Sequence, residues 1–255
     1  MKKGTIGPAS NFNAEKIATK LRKAMRGIGT DEKVIIDVFT GHNNSQRQII
    51  KKKYKTIYGR VLADDIKAEL GGHFEDVCLA LLTPLAEYLV DCLYYALKGY
   101  KPDDKCIIEI LVSLEYLAGL SKSWGTDEDL FITVLATRSK MQLQATIAAY
   151  ERVSGHLLEE TIKSEFGGNI RHALLAIVEC IDNRPAFFAK QLHQALNGPG
   201  TDDKTIIRIL VSRSEVDLAD IYEWYHMKYD VDLSEAIYAD TSGDYRKILM
   251  KILNP

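Results

Sequence analysis

The feature that most constrains the fold of this 255-residue chain is an internal repeat. Three segments share one pattern, which reads GTDEKVIIDVFT from Gly29, GTDEDLFITVLA from Gly125 and GTDDKTIIRILV from Gly200. Each glycine is followed, 40 positions later, by a carboxylate that precedes a turn of small residues; the three are Glu69, Glu165 and Asp240. Such a repeat predicts stacked copies of one unit, each burying its apolar face against its neighbours.

The residues within each copy predict helices. Thr30, Thr126 and Thr201 are of a type that caps helix N-termini, and acidic residues follow them in the first turn. Stretches such as 45–58 and 141–150 have the 3.6-residue periodicity of a helix, and the alternation typical of strands is weak throughout. The expected fold class is therefore all-α.

Charge and hydropathy exclude several classes of partner. The formal net charge is −2, whereas nucleic-acid binding needs a basic excess. A slightly negative chain also needs a bridging cation, or a local basic cluster, to meet an acidic membrane. No apolar stretch is long enough to cross a bilayer, and the N-terminus lacks the apolar run of a secretory signal. The four cysteines show no CxxC spacing, so we expect buried free thiols in a reducing compartment.

The loop before each helix has the composition of a cation site. In the first copy it reads MRGIGT from Met25, and glycine lets several carbonyls turn toward one point. Calcium takes six to eight oxygen ligands, so three carbonyls and one carboxylate would leave positions for water or a lipid phosphate. Such a half-satisfied calcium would bridge the protein to a membrane, and calcium affinity should rise when lipid is present.

At this point the sequence resembles the annexin family. The resemblance rests on MRGIGTDE with ELGG downstream, SWGTDE with EFGG, GPGTDD with DTSGDY, and on TRS and SRSE, whose arginines lie thirteen positions after two of the glycines. It covers nearly the whole chain beyond about residue 13. It implies a right-handed superhelical stack of five-helix repeats of roughly 70 residues.

The resemblance also implies ligands, site by site. The first calcium site would use the carbonyls of Met25, Gly27 and Gly29 with the carboxylate of Glu69. The third would use Ser123, Gly125 and Glu165, with either Gly119 or Leu120 completing a loop that is one residue longer than usual. The fourth would use Leu196, Gly198, Gly200 and Asp240. Lesser sites would pair Thr30 with Glu32, Thr126 with Glu128, and Thr201 with Asp203.

The second repeat departs from the family pattern. Its loop reads KGYKP from Lys98, and the position 40 residues after Lys101 is Met141, which is no calcium ligand. Gly29 and Gly125 are 96 positions apart, so roughly 60 residues of two family repeats are absent. Splicing, a gene-model error and divergence all remain open as causes. The expected organisation is an N-terminal tail (1–13), repeat 1 (14–85), a truncated repeat 2 (86–114), repeat 3 (115–184) and repeat 4 (185–255).

Two tryptophans and two arginines have further interpretations. Trp124 lies in a polar loop and is either a half-buried anchor or an exposed indole that inserts among lipid headgroups. Trp224 lies in a helical run and is expected in the core. Arg138 and Arg213 recur at one position, which favours a structural role in tying helix ends, although His42 stands there in the first copy.

The leading hypothesis is calcium-dependent binding to acidic phospholipid membranes by a peripheral, cytoplasmic protein that is monomeric in solution. The alternative is a helical scaffold that binds cytoskeletal or other protein partners with little calcium dependence. No HExxH, GxSxG or Walker loop is present, so we expect no enzyme. The lipid species, the protein partners and regulation through the tail are left open.

Overall fold

The computed structural model describes residues 3–27, 29–98, 102–113 and 140–254, and these residues form helices and connecting loops without strands. The helices are α1 (Ala14–Ala24), α2 (Glu32–Thr40), α3 (Asn44–Tyr58), α4 (Leu62–Glu69), α5 (Gly72–Leu82), α6 (Leu85–Lys98), α7 (Asp104–Ser113), α8 (Lys140–Ser154), α9 (Leu158–Glu165), α10 (Gly168–Asp182), α11 (Arg184–Leu196), α12 (Asp203–Arg213), α13 (Leu218–Tyr229), α14 (Leu233–Asp240) and α15 (Gly243–Leu253). The all-α expectation is confirmed.

The chain divides into two compact units. Unit 1 combines Met1–Val90 with Phe188–Pro255, and unit 2 is the intervening Asp91–Phe187. Unit 1 therefore joins the first and last copies of the sequence repeat, which are separated by about a hundred residues of chain. This pairing is a tertiary result, because nothing within one copy specifies which other copy it packs against.

Unit 1 is built on a reciprocal packing of helices. Helix α5 packs on α12, and α15 packs on α2, so the last helix of each copy lies on the second helix of the other. Helix α5 is largely apolar, and α12 is buried along most of its length and contributes Ile206, Ile207, Ile209 and Leu210 to the core. Burial of such apolar side chains is the main favourable term in folding. Among the largest fully buried side chains of this unit are Tyr54, Tyr225, Phe39 and Phe188.

Unit 2 repeats part of that arrangement. Helix α7 packs on α10, and α10 also contacts α8 and α9. The buried side chains of this core are Leu143, Leu158, Ile162, Leu174, Val178 and Ile181. At the helix starts, Asn169 Nδ2 donates to Asp104 Oδ2 at 2.8 Å. Unit 1 has the matching contact, in which His73 Nε2 lies 3.2 Å from Asp203 Oδ2.

The N-terminal segment is ordered against unit 1. The backbone N–H groups of Thr5 and Ile6 both donate to the carbonyl of Ser214, at 2.7 and 2.9 Å. Further along, Ala9 exchanges two 2.9 Å hydrogen bonds with the Gln46 side chain. The segment thus touches both halves of the unit, the first copy through α3 and the last copy at the end of α12.

Two side-chain expectations can be compared with the structure. The cysteines are free; three are buried and Cys92 is intermediate, in agreement with structural thiols. The core assignment of Trp224 is wrong, because its side chain is only partly buried and the neighbouring Tyr225 fills the core position instead. Within the described part of the chain, no helix combines the length and apolarity needed to cross a membrane.

Candidate calcium site

The loops that precede α2, α7 and α12 close in the same way. In each, an aspartate N–H donates to the carbonyl of an alanine seven residues earlier, at 2.9 Å; the pairs are Asp31 with Ala24, Asp103 with Ala96, and Asp202 with Ala195. All three alanines are buried at the ends of their helices. The second copy therefore retains this loop closure although its glycine–threonine pair is missing.

The helix caps differ from the sequence-based expectation. Thr30 and Thr201 are not the N-caps; the following aspartates are. Asp31 and Asp202 accept from the backbone N–H three residues ahead, each at 3.1 Å, and Asp103 does the same at 3.0 Å. A carboxylate at this position satisfies an otherwise unpaired N–H and also faces the positive end of the helix dipole, which gives it the advantage over the threonine hydroxyl.

Left-handed backbone makes the loops dependent on glycine. Gly27, Gly29 and Gly200 have φ values of 124°, 84° and 94°. Side-chain-bearing residues rarely adopt these angles, so glycine is needed to turn the peptide groups. Gly198 has a different constraint, because an added Cβ would lie 3.3 Å from the Gln194 carbonyl oxygen. The glycines are exposed at the surface, whereas Met25 and Leu196, at the loop entries, have buried side chains.

The three predicted carboxylates occupy one structural position. Glu69, Glu165 and Asp240 are the last residues of α4, α9 and α14, and all are exposed. The chain then turns sharply, because the first residue of each following helix is a glycine with φ near 60°: Gly72, Gly168 and Gly243. Negative charge at a helix C-terminus opposes the helix dipole. Acidic residues at three such ends are therefore unfavourable for the helices themselves, and a bound cation would remove that penalty.

The fourth copy shows the carboxylate in contact with its loop. Thr201 Oγ1 donates to Asp240 Oδ2 at 3.2 Å, across 39 residues of sequence. A loop of turned carbonyls with a carboxylate at its side supplies the oxygen ligands that calcium prefers. No group of three or more His, Cys, Asp or Glu side chains that could hold a metal occurs among the residues described, so a metal site here would depend on backbone oxygens. The donor set thus fits calcium and would not suit a metal that requires nitrogen or sulfur ligands.

The remaining predicted ligands fall into two groups. The loop of the third copy lies outside the described residues, and with it Gly119, Leu120, Ser123, Trp124, Gly125, Thr126, Glu128 and Arg138. Of the lesser-site residues in the first and fourth copies, Asp203 is near His73. Glu32 and Thr30 line an open cleft of about 490 Å³, together with Asp244, Lys247 and Lys251.

Two arginines that were not among the predicted site residues hold the turns beside two of the carboxylates. Arg171 Nε donates to the Phe166 carbonyl at 2.5 Å, directly after Glu165. Arg246 Nε donates to the Thr241 carbonyl at 2.6 Å, directly after Asp240. Both lie 46 positions after their loop glycines, so the repeat register could have revealed them. The first copy has Glu75 at this offset.

Two buried arginines tie helices together in unit 1. Arg213 forms a two-pronged pair with Asp217, at 2.7 and 2.6 Å, in agreement with the structural role expected for it. In the first copy, where His42 occupies the position of Arg213, the helices are tied together by Arg47 instead. The Arg47 guanidinium donates to the Leu81 carbonyl at 2.7 Å and to Glu215 Oε1 at 2.9 Å. Burial lowers the pKa of Arg47 to about 10, so it stays charged at neutral pH.

A tyrosine recurs at one position of the repeat. Tyr54, Tyr150 and Tyr225 each lie 25 positions after the loop glycine. Tyr54 OH donates to the buried Asp65, which also accepts from Arg60 Nε at 2.8 Å. The hydrogen bond from Arg60 is the main cause that lowers the pKa of Asp65.

Comparisons with known proteins identify the family of this chain. The family model for annexins matches residues 16–81, 115–177 and 187–252, which is most of the chain. The chain belongs to the annexin family. Calcium and phospholipid binding are general properties of annexins. The unmatched stretch between the first two segments contains the second-copy loop that lacks its glycine–threonine pair.

Individual annexins match over nearly their full length. Annexin A4 of the dog is 40% identical over 309 aligned positions, covering 98% of this chain and 97% of the relative. Chicken annexin A5 is 37% identical, with 97% and 96% covered. The structure of annexin III superposes with a TM-score of 0.94 at 35% identity, covering 99% and 97%. The alignment with dog annexin A4 is 54 positions longer than this chain, so at least that many face a gap in it.

Proposed function

We propose that this annexin binds acidic phospholipid membranes through calcium ions that are held by the glycine loops and shared with lipid phosphate. The contact between the Asp240 carboxylate and the loop at Thr201 carries the proposal. It shows that residues 39 apart in sequence meet at one exposed point. The loop glycines have the left-handed backbone angles that a tightly turned loop requires, and the carboxylate lies at a helix end where a cation is favoured.

The proposed sites follow the repeat. The first comprises Met25, Gly27, Gly29 and Glu69; the third comprises Ser123, Gly125 and Glu165; the fourth comprises Leu196, Gly198, Gly200 and Asp240. Lesser sites pair Thr30 with Glu32, Thr126 with Glu128, and Thr201 with Asp203, and Trp124 contacts lipid headgroups. The proposed repeat boundaries are 14–85, 86–114, 115–184 and 185–255, after a tail of residues 1–13.

Incomplete coordination is what would make the binding depend on lipid. Three carbonyls and one carboxylate leave calcium below its usual six to eight ligands, so water or a phosphate oxygen completes the shell. Each partner then raises the apparent affinity for the other by mass action. The bound ion also explains how a chain of net charge −2 can bind a negatively charged membrane, because calcium supplies local positive charge at the loops. No catalytic group is assigned, and the protein acts as a peripheral component of cytoplasmic membrane faces.

The second copy favours a scaffold role for that part of the chain. Its loop keeps the closing hydrogen bond from Asp103 to Ala96 and the aspartate cap, but it lacks the glycine–threonine pair and a carboxylate 40 positions on. Loop closure therefore does not require calcium ligands. A chain that had lost all its sites could keep this architecture and bind protein partners instead, and that is the alternative to be tested.

Co-sedimentation with phosphatidylserine-containing vesicles separates the two functions. The test variant combines Glu69→Gln, Glu165→Gln and Asp240→Asn, which remove charge and leave shape nearly unchanged. The control combines Glu87→Gln, Glu160→Gln and Glu223→Gln, which remove the same charge from exposed positions that are not helix C-termini. We expect calcium-dependent pelleting of the native and control proteins, release by chelator, and little pelleting of the test variant. Equal pelleting of both variants would establish that calcium does not act at these carboxylates. The scaffold function would then be the better supported of the two.

A further inference from the structure

Helix α6 exposes apolar side chains along one side. Val90, Tyr94 and Leu97 stand at positions i, i+4 and i+7 and are 62%, 53% and 61% exposed. Residues with this spacing are neighbours on a helix surface, so they form one stripe. We call these three residues the α6 face. A contiguous apolar stripe, unlike a single exposed side chain, is typical of a surface that binds another molecule.

The positions of this face are buried in the other copies of the repeat. The loop-closing hydrogen bonds align the copies at Ala24, Ala96 and Ala195. Counted from these alanines, the positions of Val90 and Leu97 are occupied by buried side chains elsewhere: Ala18 and Met25 in the first copy, Ala189 and Leu196 in the last. The α6 face is therefore the side of the first helix that belongs to the core in the other copies.

The second copy lacks the helix that would cover the α6 face. In the first copy, α1 packs chiefly on α3, the third helix of that copy. In the second copy, α6 and α7 correspond to α1 and α2, and the next match of the family model begins at residue 115, soon after α7 ends at Ser113. The sequence therefore leaves no room for a second-copy counterpart of α3, and α6 keeps its face exposed.

Charged residues follow one edge of the α6 face. Glu87, Asp91 and Lys98 stand at positions i, i+4 and i+11, with the two acids in the first half of the helix and the lysine at its end. Of the ion pairs among the described residues, none involves these three. Lys98 Nζ lies 5.2 Å from the centre of the Tyr94 ring, so its charge is held at the edge of the face.

These charges favour antiparallel contact between two copies of the chain. When Val90 lies opposite Leu97 of a second copy, Lys98 of that copy falls opposite position 89, between Glu87 and Asp91. A two-fold axis forms this contact twice. Parallel contact would instead set lysine against lysine and acid against acid. The face and its edge are thus complementary to themselves, and they select a second copy of this chain in the antiparallel orientation.

We propose that two copies of this chain form a reversible dimer through their α6 faces. The 14 residues of α6 extend about 21 Å, so the contact is small beside the roughly 1,600 Å² of a standard interface, and we expect a dissociation constant in the micromolar range. This differs from the monomer expected from the family resemblance, since the truncated second repeat leaves open a face that the other copies bury. The inference goes beyond the calcium-dependent function and does not rest on it.

Sedimentation velocity in chelator tests the dimer apart from the calcium sites. Over about 1–100 μM protein, the native chain should shift from monomer to dimer. Val90→Gln/Leu97→Gln should raise the dissociation constant at least about ten-fold, because the centre of a contact carries most of its binding energy. The control Met141→Gln/Val153→Gln changes apolar residues that are 80% and 84% exposed on α8, and it should dimerise like the native chain. Circular dichroism should show unchanged helix content in both variants.

Charge reversal tests the orientation of the two helices. Lys98→Glu makes the edge wholly acidic, and Glu87→Lys/Asp91→Lys makes it wholly basic, so each variant alone should dimerise more weakly than the native chain. An equimolar mixture of the two variants should dimerise well, because opposite charges then meet at both symmetry-related contacts. Failure of the mixture to dimerise better than its components would exclude the antiparallel contact and overturn the proposal.

Two further results would overturn the proposal. The native chain could stay monomeric at the highest concentration; loss of vesicle binding by Val90→Gln/Leu97→Gln would then assign the α6 face to lipid. Alternatively, Val90→Gln/Leu97→Gln could dimerise as strongly as the native chain and the control, which would place the contact elsewhere on the molecule.

Discussion

Replacing Arg47 by methionine should destabilise the protein more than any surface substitution. The side chain is 3% exposed, and its guanidinium contacts three carbonyl oxygens and one carboxylate. The carbonyls belong to Phe39, His42 and Leu81, and the carboxylate is that of Glu215. Arg47 thus joins the ends of α2 and α5 to the turn after α12. Methionine keeps the apolar stem but leaves these acceptors without their donor.

The expected loss can be estimated from those contacts. Breaking a buried ion pair by removing one partner costs about 3–5 kcal/mol, and an exposed pair contributes only about 0–1 kcal/mol. Glu215 is 29% exposed and still accepts from the Asn44 N–H at 2.6 Å, which moderates the loss. We therefore expect a decrease of about 3 kcal/mol in the free energy of unfolding, which lowers the melting temperature by roughly 10 °C in a protein of this size.

Thermal and chemical unfolding monitored by circular dichroism would measure this change. Lys52→Met on the exposed side of the same helix serves as the control and should change stability by less than about 0.5 kcal/mol. Arg47→Lys should recover only part of the loss, because an ammonium group cannot reach all four acceptors. Coupling to Glu215→Gln in a double-mutant cycle should lie between about 0.5 and 3 kcal/mol. A loss below about 1 kcal/mol for Arg47→Met would refute the argument, since it would place Arg47 among ordinary surface charges.

Three further predictions follow from single contacts. Asp65→Asn should lose about 2 kcal/mol at pH 7 because Arg60 and the Tyr54 hydroxyl lose a charged partner. The folded pKa of Asp65 lies below the unfolded value of 3.8, so its carboxylate stabilises the fold above pH 3.8, and this stabilisation is lost as the pH falls through the folded pKa. In urea titrations the free energies of unfolding of the native and variant proteins should therefore converge as the pH falls below about 4. A difference that stayed constant with pH would contradict this assignment. Gly4→Ala should detach the N-terminal segment, because an added Cβ would lie 2.6 Å from the Glu215 backbone; limited proteolysis should cut it faster, with unchanged melting of the core. Asp202→Ala should lose about 1 kcal/mol of stability as a missing helix cap, and a neutral effect in urea unfolding would mean that Thr201 caps the helix after all.

The sequence alone determined the all-α fold class and identified the glycine loops and carboxylates of the candidate site. Helical periodicity is a local property, and the glycine loops and carboxylates recur at a fixed spacing of 40 positions, so both were accessible without coordinates. The same register would have identified the tyrosines at offset 25 and the arginines at offset 46. It could not have identified Arg47, because Leu143 and Leu218 occupy the matching positions in the other copies.

The tertiary structure decided which copies pack together and which residues cap and tie their helices. Asp31 and Asp202, not the threonines before them, cap α2 and α12, since the backbone path brings the carboxylate to the free N–H. The pairing of Arg47 with Glu215 spans 168 residues, and the packing of α5 on α12 joins segments about 130 positions apart. The hydrophobic effect is non-directional, so the apolar face of one helix can be buried against many other helices. Which helices pair is decided only by the packing of the complete tertiary structure.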